Sequence, residues 1–335
     1  MMKSKKIALI GGAGFIGHNM AIALKKRGHE PFILDSLAVN NMLSFTDREI
    51  KNQKLYLAIL NLRMDLLHEN SIKMILKDAR DYNEISEVVC SFKPDVIVHL
   101  AAVSHANKSN KDPHSTFDHS LRTLENTLDI ARSLGTHVIY FSSSMVYGHF
   151  DGKAVTEETY CKPLGIYGTL KYSGELIVKA YNQVFDLPYT IIRPSALYGE
   201  RCVSRRVTQI FIENALQGLD ISVSGDGSDR LDFTYIDDLI QGVILAIENK
   251  NSRNETFNMT FGKSATINEV VNILKSHFDG IKINYKPKDI LMPDRGTLNV
   301  DKAKSLLNYN PKNPIEVGYP KYLKWYKEFW KGLKK

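Results

Sequence analysis

The chain has 335 residues, 43% hydrophobic and 24% charged, the balance of a globular protein with one large or two unequal domains. Lysine and arginine number 44 against 37 acidic residues, a formal charge of +7, but no basic run is interleaved with aromatics; no nucleic-acid partner is expected, and the excess reads as a mild bias toward anionic small molecules. Cys90, Cys161 and Cys202 are far apart and odd in number, no Cys/His cluster has metal-site spacing, and no apolar run is long enough for a signal peptide or a bilayer span, which together predict a soluble cytoplasmic protein with no metal and no membrane partner.

The first apolar run, Ile7 to Ile10, reads as a buried strand and leads directly into Gly11-Gly12-Ala13-Gly14-Phe15-Ile16-Gly17 and a helix over about 15–28. Glycines between a strand and a helix let backbone approach a pyrophosphate at the helix N-terminus, where amides and the helix dipole hold negative charge. Two registers fit: Gly12, Gly14 and Gly17 match G-x-G-x-x-G, while Gly11, Gly14 and Gly17 match the wider G-x-x-G-x-x-G. Asp35 closes the second strand, Phe32–Leu34, 18 residues after Gly17. A carboxylate there accepts from the adenine-ribose hydroxyls and repels a 2′-phosphate, favouring NAD over NADP.

Next comes a long insertion, about 36–72, whose stretch Leu55–His68 has apolar residues at helical spacing. A strand is predicted at Lys73–Leu76, then a helix at 83–92, a strand at Val96–Leu100, a helix at 115–134, a strand at Val138–Phe141, a helix at 166–185 and a strand at Thr190–Ile192. Alternation of β-branched runs with amphipathic stretches predicts an α/β fold, a Rossmann-type doubly wound parallel sheet covered by helices. After Pro194 the alternation fades into Gly- and Arg-containing loops with helices at about 204–217, 236–249, 267–278 and 301–307, and Tyr319 to Lys335 reads as an amphipathic helix packed on the body. The expected division is a nucleotide-binding domain at 1–194, with a returning segment at about 233–262, and a smaller mixed α/β substrate lobe in 195–335.

Two motifs carry chemistry. Phe141-Ser142-Ser143-Ser144-Met145-Val146-Tyr147-Gly148 leaves the fifth strand, and Tyr167-Gly168-Thr169-Leu170-Lys171 opens the next helix, with Tyr167 and Lys171 on one face. A lysine ammonium near a phenol stabilises phenolate, so Tyr167 can exchange a proton with a substrate hydroxyl near neutral pH, and the Ser143 hydroxyl can bond the same oxygen as a carbonyl forms.

In this order the motifs resemble those of an extended short-chain dehydrogenase/reductase of the NAD-dependent epimerase/dehydratase family, which includes the UDP-glucose 4-epimerases, over nearly the whole length. Asp78-Ala79 resembles the family's adenine contacts, and His99-Leu100-Ala101-Ala102 its strand-end segment along the cofactor. Arg193-Pro194 through Gly199 resembles the segment flanking the nicotinamide, and Gly225-Asp226-Gly227 through Asp238 the loop and strand that close over the nucleotide. Arg295-Gly296 resembles the late segment whose arginine contacts the diphosphate. The resemblance implies an NAD-dependent enzyme on a nucleotide-diphosphate sugar, with cofactor contacts at Gly11, Gly14–Gly17, Asp35, Asp78, Ala79, Leu100–Ala102, Ser142, Tyr167, Lys171 and Pro194. It also implies that Tyr167 takes the proton of a sugar hydroxyl, usually at C4, while hydride leaves, and that Lys171 holds the nicotinamide ribose. A homodimer through the helices at 115–134 and 166–185 is likewise implied.

The chain departs from the family's patterns in places. The 4,6-dehydratases place acidic residues directly after the catalytic Ser/Thr; Ser144 and Met145 stand here, which disfavours dehydration and the related decarboxylations. An arginine often precedes the Asp-Phe of the nucleotide loop, whereas this chain has Leu231 there and Arg230 one place earlier. Arg201, Arg205 and Arg206 either compensate on the diphosphate or are ordinary surface charges. His119-Ser120 stands where relatives often have asparagine, and Ser104 and His105 either reach the sugar, His105 as a second acid/base, or are loop surface. The expected reaction is 4-epimerisation through a keto intermediate; net 4-dehydrogenation or ketoreduction is the alternative. A non-catalytic NAD-binding regulator is remote, since it has no need of Ser143, Tyr167 and Lys171 together.

Overall fold

The computed structural model describes residues 3–46, 50–103, 106–288 and 292–333, with 106–108 as backbone only. Its centre is a seven-stranded, all-parallel sheet: β1 (Lys6–Ile10), β2 (Glu30–Asp35), β3 (Lys73–Leu76), β4 (Val96–His99), β5 (His137–Phe141), β6 (Tyr189–Arg193) and β7 (Glu255–Asn258). They lie in the order β7-β6-β5-β4-β1-β2-β3. The order reverses between β1 and β4, and the crevice beyond their carboxyl ends is where ligands bind in such sheets.

Alternation along each strand splits the core. Ile7, Leu9, Ile33 and Val98 face one side, covered by α1 (Phe15–Lys26) and a later helix at Ile236–Glu248; Ala8, Ile10, Phe32 and Ile97 face the other, under three helices at Tyr82–Phe92, Thr123–Leu134 and Gly165–Phe185. Buried on both faces, the strands need no polar alternation, which explains their continuous apolar runs. The stretch expected as one helix at 115–134 is helical from Pro113 but contains a π-helical turn at Asp118–Arg122 before Thr123–Leu134. Such a turn widens the backbone ring by one residue and shifts the following helical face.

A second core lies beyond the sheet. The insertion forms α2 (Gln53–Glu69), and its Leu55, Tyr56, Ile59 and Leu60 pack with Phe211 and Ile212 of the helix Val207–Leu216 and with Tyr319, Tyr322 and Tyr326 of the final helix. Glu213 is buried at their junction and accepts from Tyr56 Oη (2.7 Å), Tyr326 Oη (2.7 Å), Asn52 Nδ2 (3.0 Å) and Gln209 Nε2 (2.7 Å), so a carboxylate costly to bury is fully bonded. The final helix begins at Ile315 and carries Pro320 within it, earlier than the expected 319. Pro320 has no N–H to give the Glu316 carbonyl, so the helix loses one ladder bond there.

Candidate active site

A cavity of about 620 Å³ opens at the crevice and runs into the second lobe. Of the two glycine registers, Gly11, Gly14 and Gly17 line it, whereas Gly12 does not, and a Cβ there would stand 2.8 Å from the Leu9 Cβ. Gly11 has φ 78°, and a Cβ there would stand 2.6 Å from the Ala101 nitrogen; a Cβ on Gly17 would stand 2.3 Å from the Gly12 carbonyl oxygen. These two positions therefore exclude side chains. A Cβ on Gly14 would meet only the Gly11 carbonyl, at 3.5 Å, leaving its other side open to the cavity beside the N-terminus of α1. Bare backbone amides at a helix N-terminus, with open space in front of them, fit a pyrophosphate.

Asp35 ends β2 on the cavity wall. Its Oδ2 accepts from the Ala13 amide (2.9 Å) and its Oδ1 from the Leu37 amide (2.7 Å), while burial raises its pKa against those bonds. On the same wall, Arg80 bonds hold the Asp78 carboxyl below its usual range, and Asn126 Nδ2 holds the Ala79 and Arg80 carbonyls, each at 2.9 Å. Leu100, Ala101 and Ala102 follow β4 along the cavity, with the Leu100 amide donating to Ile10 at 2.8 Å.

At the far end the cavity wall brings together Ser142, Ser143, Tyr167, Lys171 and Pro194. Ser143 caps a short 3-10 turn, its Oγ accepting from the Met145 amide at 3.2 Å. Lys171 is buried and donates to the Phe141 carbonyl at 2.7 Å; burial lowers its pKa to about 8, partly opposed by Glu175. Glu175, one helical turn on, is fully buried and accepts from Ser142 Oγ (2.5 Å), Arg193 Nε (2.9 Å) and Arg193 Nη2 (2.6 Å). Arg193 Nη1 donates to Tyr147 Oη at 2.8 Å, and Tyr147 donates to Asn258 at 2.7 Å. This network fixes the loop that carries Ser143 against the helix that carries Tyr167.

Arg205, Arg206, Arg230 and Arg295 all line the lobe side of the cavity. Arg230 is held by Ser264, Nε to Oγ at 3.1 Å and Nη2 to the carbonyl at 2.9 Å. Burial first, then the Arg206 charge, pull the Arg295 guanidinium down to about 10, and Arg295 lies within electrostatic range of Tyr167. Neighbouring desolvated cations of this kind stabilise a bound anion. His119 and Met145 also reach the cavity. Arg201 does not: its Nε donates to His18 Nε2 at 3.0 Å and its Nη2 to Asn19 Oδ1 at 2.6 Å, so its guanidinium serves α1, neither a diphosphate contact nor a surface charge. Ser104 and His105 lie outside the described residues.

Sequence reading missed Arg63, which lines the cavity with Asp35. The signal was present: Tyr56, Ile59, Arg63 and Leu67 fall on one helical stripe, and a lone cation on a buried apolar stripe needs an explanation. Lys77 and Asp229 on the wall were missed as well, without any spacing signal.

The model of the NAD dependent epimerase/dehydratase family matches residues 7–260. A putative UDP-glucose 4-epimerase of Methanocaldococcus jannaschii is 30% identical over 96% of this chain and 98% of its own. Among solved structures, the UDP-glucuronic acid 4-epimerase of Bacillus cereus, in complex with UDP-glucuronic acid and NAD, superposes with a TM-score of 0.86 at 26% identity, covering 96% of this chain and 99% of that one. The UDP-glucose 4-epimerase of Thermotoga maritima, with UDP-glucose, gives a TM-score of 0.84 at 25% identity, covering 97% and 99%.

Proposed function

Because the chain belongs to the NAD-dependent epimerase/dehydratase family, we propose that it inverts a nucleotide-linked sugar at C4, with Tyr167 as the base. It is an NAD-dependent nucleotide-sugar epimerase of the extended short-chain dehydrogenase type. The observation that carries epimerisation over dehydration is the wall beside Ser143. Ser144 and Met145 stand there, and the carboxylates lining the cavity among the described residues are Asp35, Asp78 and Asp229, none of them next to Ser143 in the chain. Elimination of water needs an acid and a base at adjacent carbons; proton exchange at one hydroxyl needs a single group.

Bound in this crevice, NAD would supply the acceptor for the sugar carbon's hydride and its donor on return. The backbone of Gly11, Gly14–Gly17 and the carboxylate of Asp35 hold the dinucleotide, with Asp78, Ala79, Leu100, Ala101, Ala102, Ser142 and Pro194 along its length and Lys171 at the nicotinamide ribose. Arg205, Arg206, Arg230 and Arg295 hold the sugar nucleotide's diphosphate, and Ser104 and His105 are assigned to the sugar. Tyr167 removes the C4 hydroxyl proton while Ser143 donates to the oxygen as it becomes a carbonyl. Lys171 brings an ammonium to the same cavity wall, one helical turn from Tyr167. After the keto sugar turns its other face, Tyr167 returns the proton to the same oxygen.

We assign the enzyme to the cytoplasm, supported by the free thiols of Cys90, Cys161 and Cys202; no helix among the described residues is long and apolar enough to cross a membrane. The assembly is a homodimer through the helices Thr123–Leu134 and Gly165–Phe185, supported by the exposed Leu176, Val184 and Phe185. Incubation with UDP-, GDP-, CDP- and dTDP-sugars, following NADH absorbance and product stereochemistry, tests the reaction. An epimer without net NADH is expected; lasting NADH with no epimer would make the protein a 4-dehydrogenase instead.

A further inference from the structure

The insertion helix α2 brings a cation to the glycine turn that none of the roles above uses. Arg63 is fully buried. Its Nε and Nη2 donate to the Arg201 carbonyl at 3.0 and 2.5 Å, but its Nη1, shielded from solvent, finds no acceptor among the described residues. Arg63 nonetheless lines the cavity together with Gly14 and Asp35. A buried N–H with no partner carries a desolvation penalty that native proteins leave standing only where something else satisfies it.

The surroundings tie Arg63 to the glycine turn. The Arg201 residue whose carbonyl anchors it also donates its guanidinium to His18 Nε2, and His18 Nδ1 in turn donates to the Gly14 carbonyl at 2.8 Å. With Nε2 accepting and Nδ1 donating, His18 is neutral, in agreement with the downward shift that burial and the Arg63 and Arg201 charges impose on it. The carbonyl that starts α1 is thus tied, through two side chains, to the backbone that grips Arg63. Both Asp35 oxygens are engaged by the Ala13 and Leu37 amides, and no hydrogen bond joins them to Arg63 among the described residues. A phosphate or ribose oxygen seated in the cavity beside Gly14 and Asp35 would supply such an acceptor.

We propose that Arg63 Nη1 donates to the adenosine ribose-phosphate of NAD, making the insertion helix a clamp on the cofactor. The clamp rests on the reading of this crevice as an NAD site, which binding of NAD by the unaltered protein tests by itself. Arg63→Lys keeps a charge and a donor for the Arg201 carbonyl but lacks the forked guanidinium that offers Nη1. Loss of one charge-assisted hydrogen bond predicts NAD binding weakened about ten- to a hundredfold, read by titration calorimetry, with the apoprotein's melting temperature little changed. An NAD affinity within twofold of the unaltered protein would overturn the proposal, as would a fall in apoprotein stability with affinity intact. Should the variant fail to fold, hydrogen exchange on the unaltered protein decides: NAD should raise amide protection across Gln53–Glu69, and unchanged protection there would overturn the clamp.

Discussion

At the scale of single residues, the proposed chemistry depends on the pair Tyr167 and Lys171. Tyr167→Phe should lower turnover by about 10²- to 10⁴-fold while leaving NAD binding intact, measured by steady-state kinetics and cofactor titration; unaffected turnover would remove Tyr167 from its role. Lys171 sets the pH dependence. Its pKa is lowered from 10.5 to about 8 by burial, so the ammonium is present below about pH 8 and lost as pH rises through it. Turnover should therefore decline above about pH 8. Stability should move the other way: in the unfolded chain this lysine keeps its proton to higher pH, so the penalty of burying its charge is full below about 8 and shrinks between 8 and 10.5. Parallel rate and urea-unfolding measurements across that window check both signs. Tyr167 and Lys171 were legible in the sequence because four-residue spacing on one helix is a local code. Arg201 could not be placed from the sequence because its partners, His18 and Asn19, lie on a distant segment that only the fold brings near.

At the scale of elements, the glycine turn and the buried Glu175–Arg193 pair are the parts least tolerant of change. Gly17→Ala would press a methyl group to 2.3 Å from the Gly12 carbonyl, so α1 must shift off the turn. Overpacking of this kind costs about 1–3 kcal/mol and should weaken NAD binding in the same protein, seen together in thermal unfolding and titration. Glu175→Ala strands the Arg193 guanidinium, which is 2% exposed, and should destabilise the fold by about 3–5 kcal/mol in denaturant unfolding. The parallel strands and most helices were readable because buried β-branched runs and amphipathic periodicity are local signals. The small parallel pairing of Ile221–Ser224 with Ile283–Lys286 was not, because the second strand is largely exposed and its partner lies far off in sequence. The π-helical turn at Asp118–Arg122 was invisible because widening the backbone ring by one residue has no residue-type signal.

At the scale of the whole molecule, one cavity is lined both by residues at the carboxyl ends of the sheet strands and by Arg205, Arg206, Arg230 and Arg295 from beyond the sheet. The packing of the insertion was not legible in the sequence, since its helix joins the second core through contacts with no spacing rule. The apolar side chains left exposed on Gly165–Phe185 predict association: sedimentation should give a dimer, and Leu176→Lys with Val184→Lys should shift it toward monomer. The most direct test of the account follows a single hydrogen. UDP-glucose or UDP-glucuronic acid carrying deuterium at C4 is incubated with the NAD-loaded enzyme, and the product is examined by mass spectrometry and NMR. If hydride leaves and returns within one site while Tyr167 handles only the hydroxyl proton, the C4 epimer forms with its deuterium retained; deuterium washed out to solvent, or held in accumulated NADH beside a keto sugar, would contradict the account.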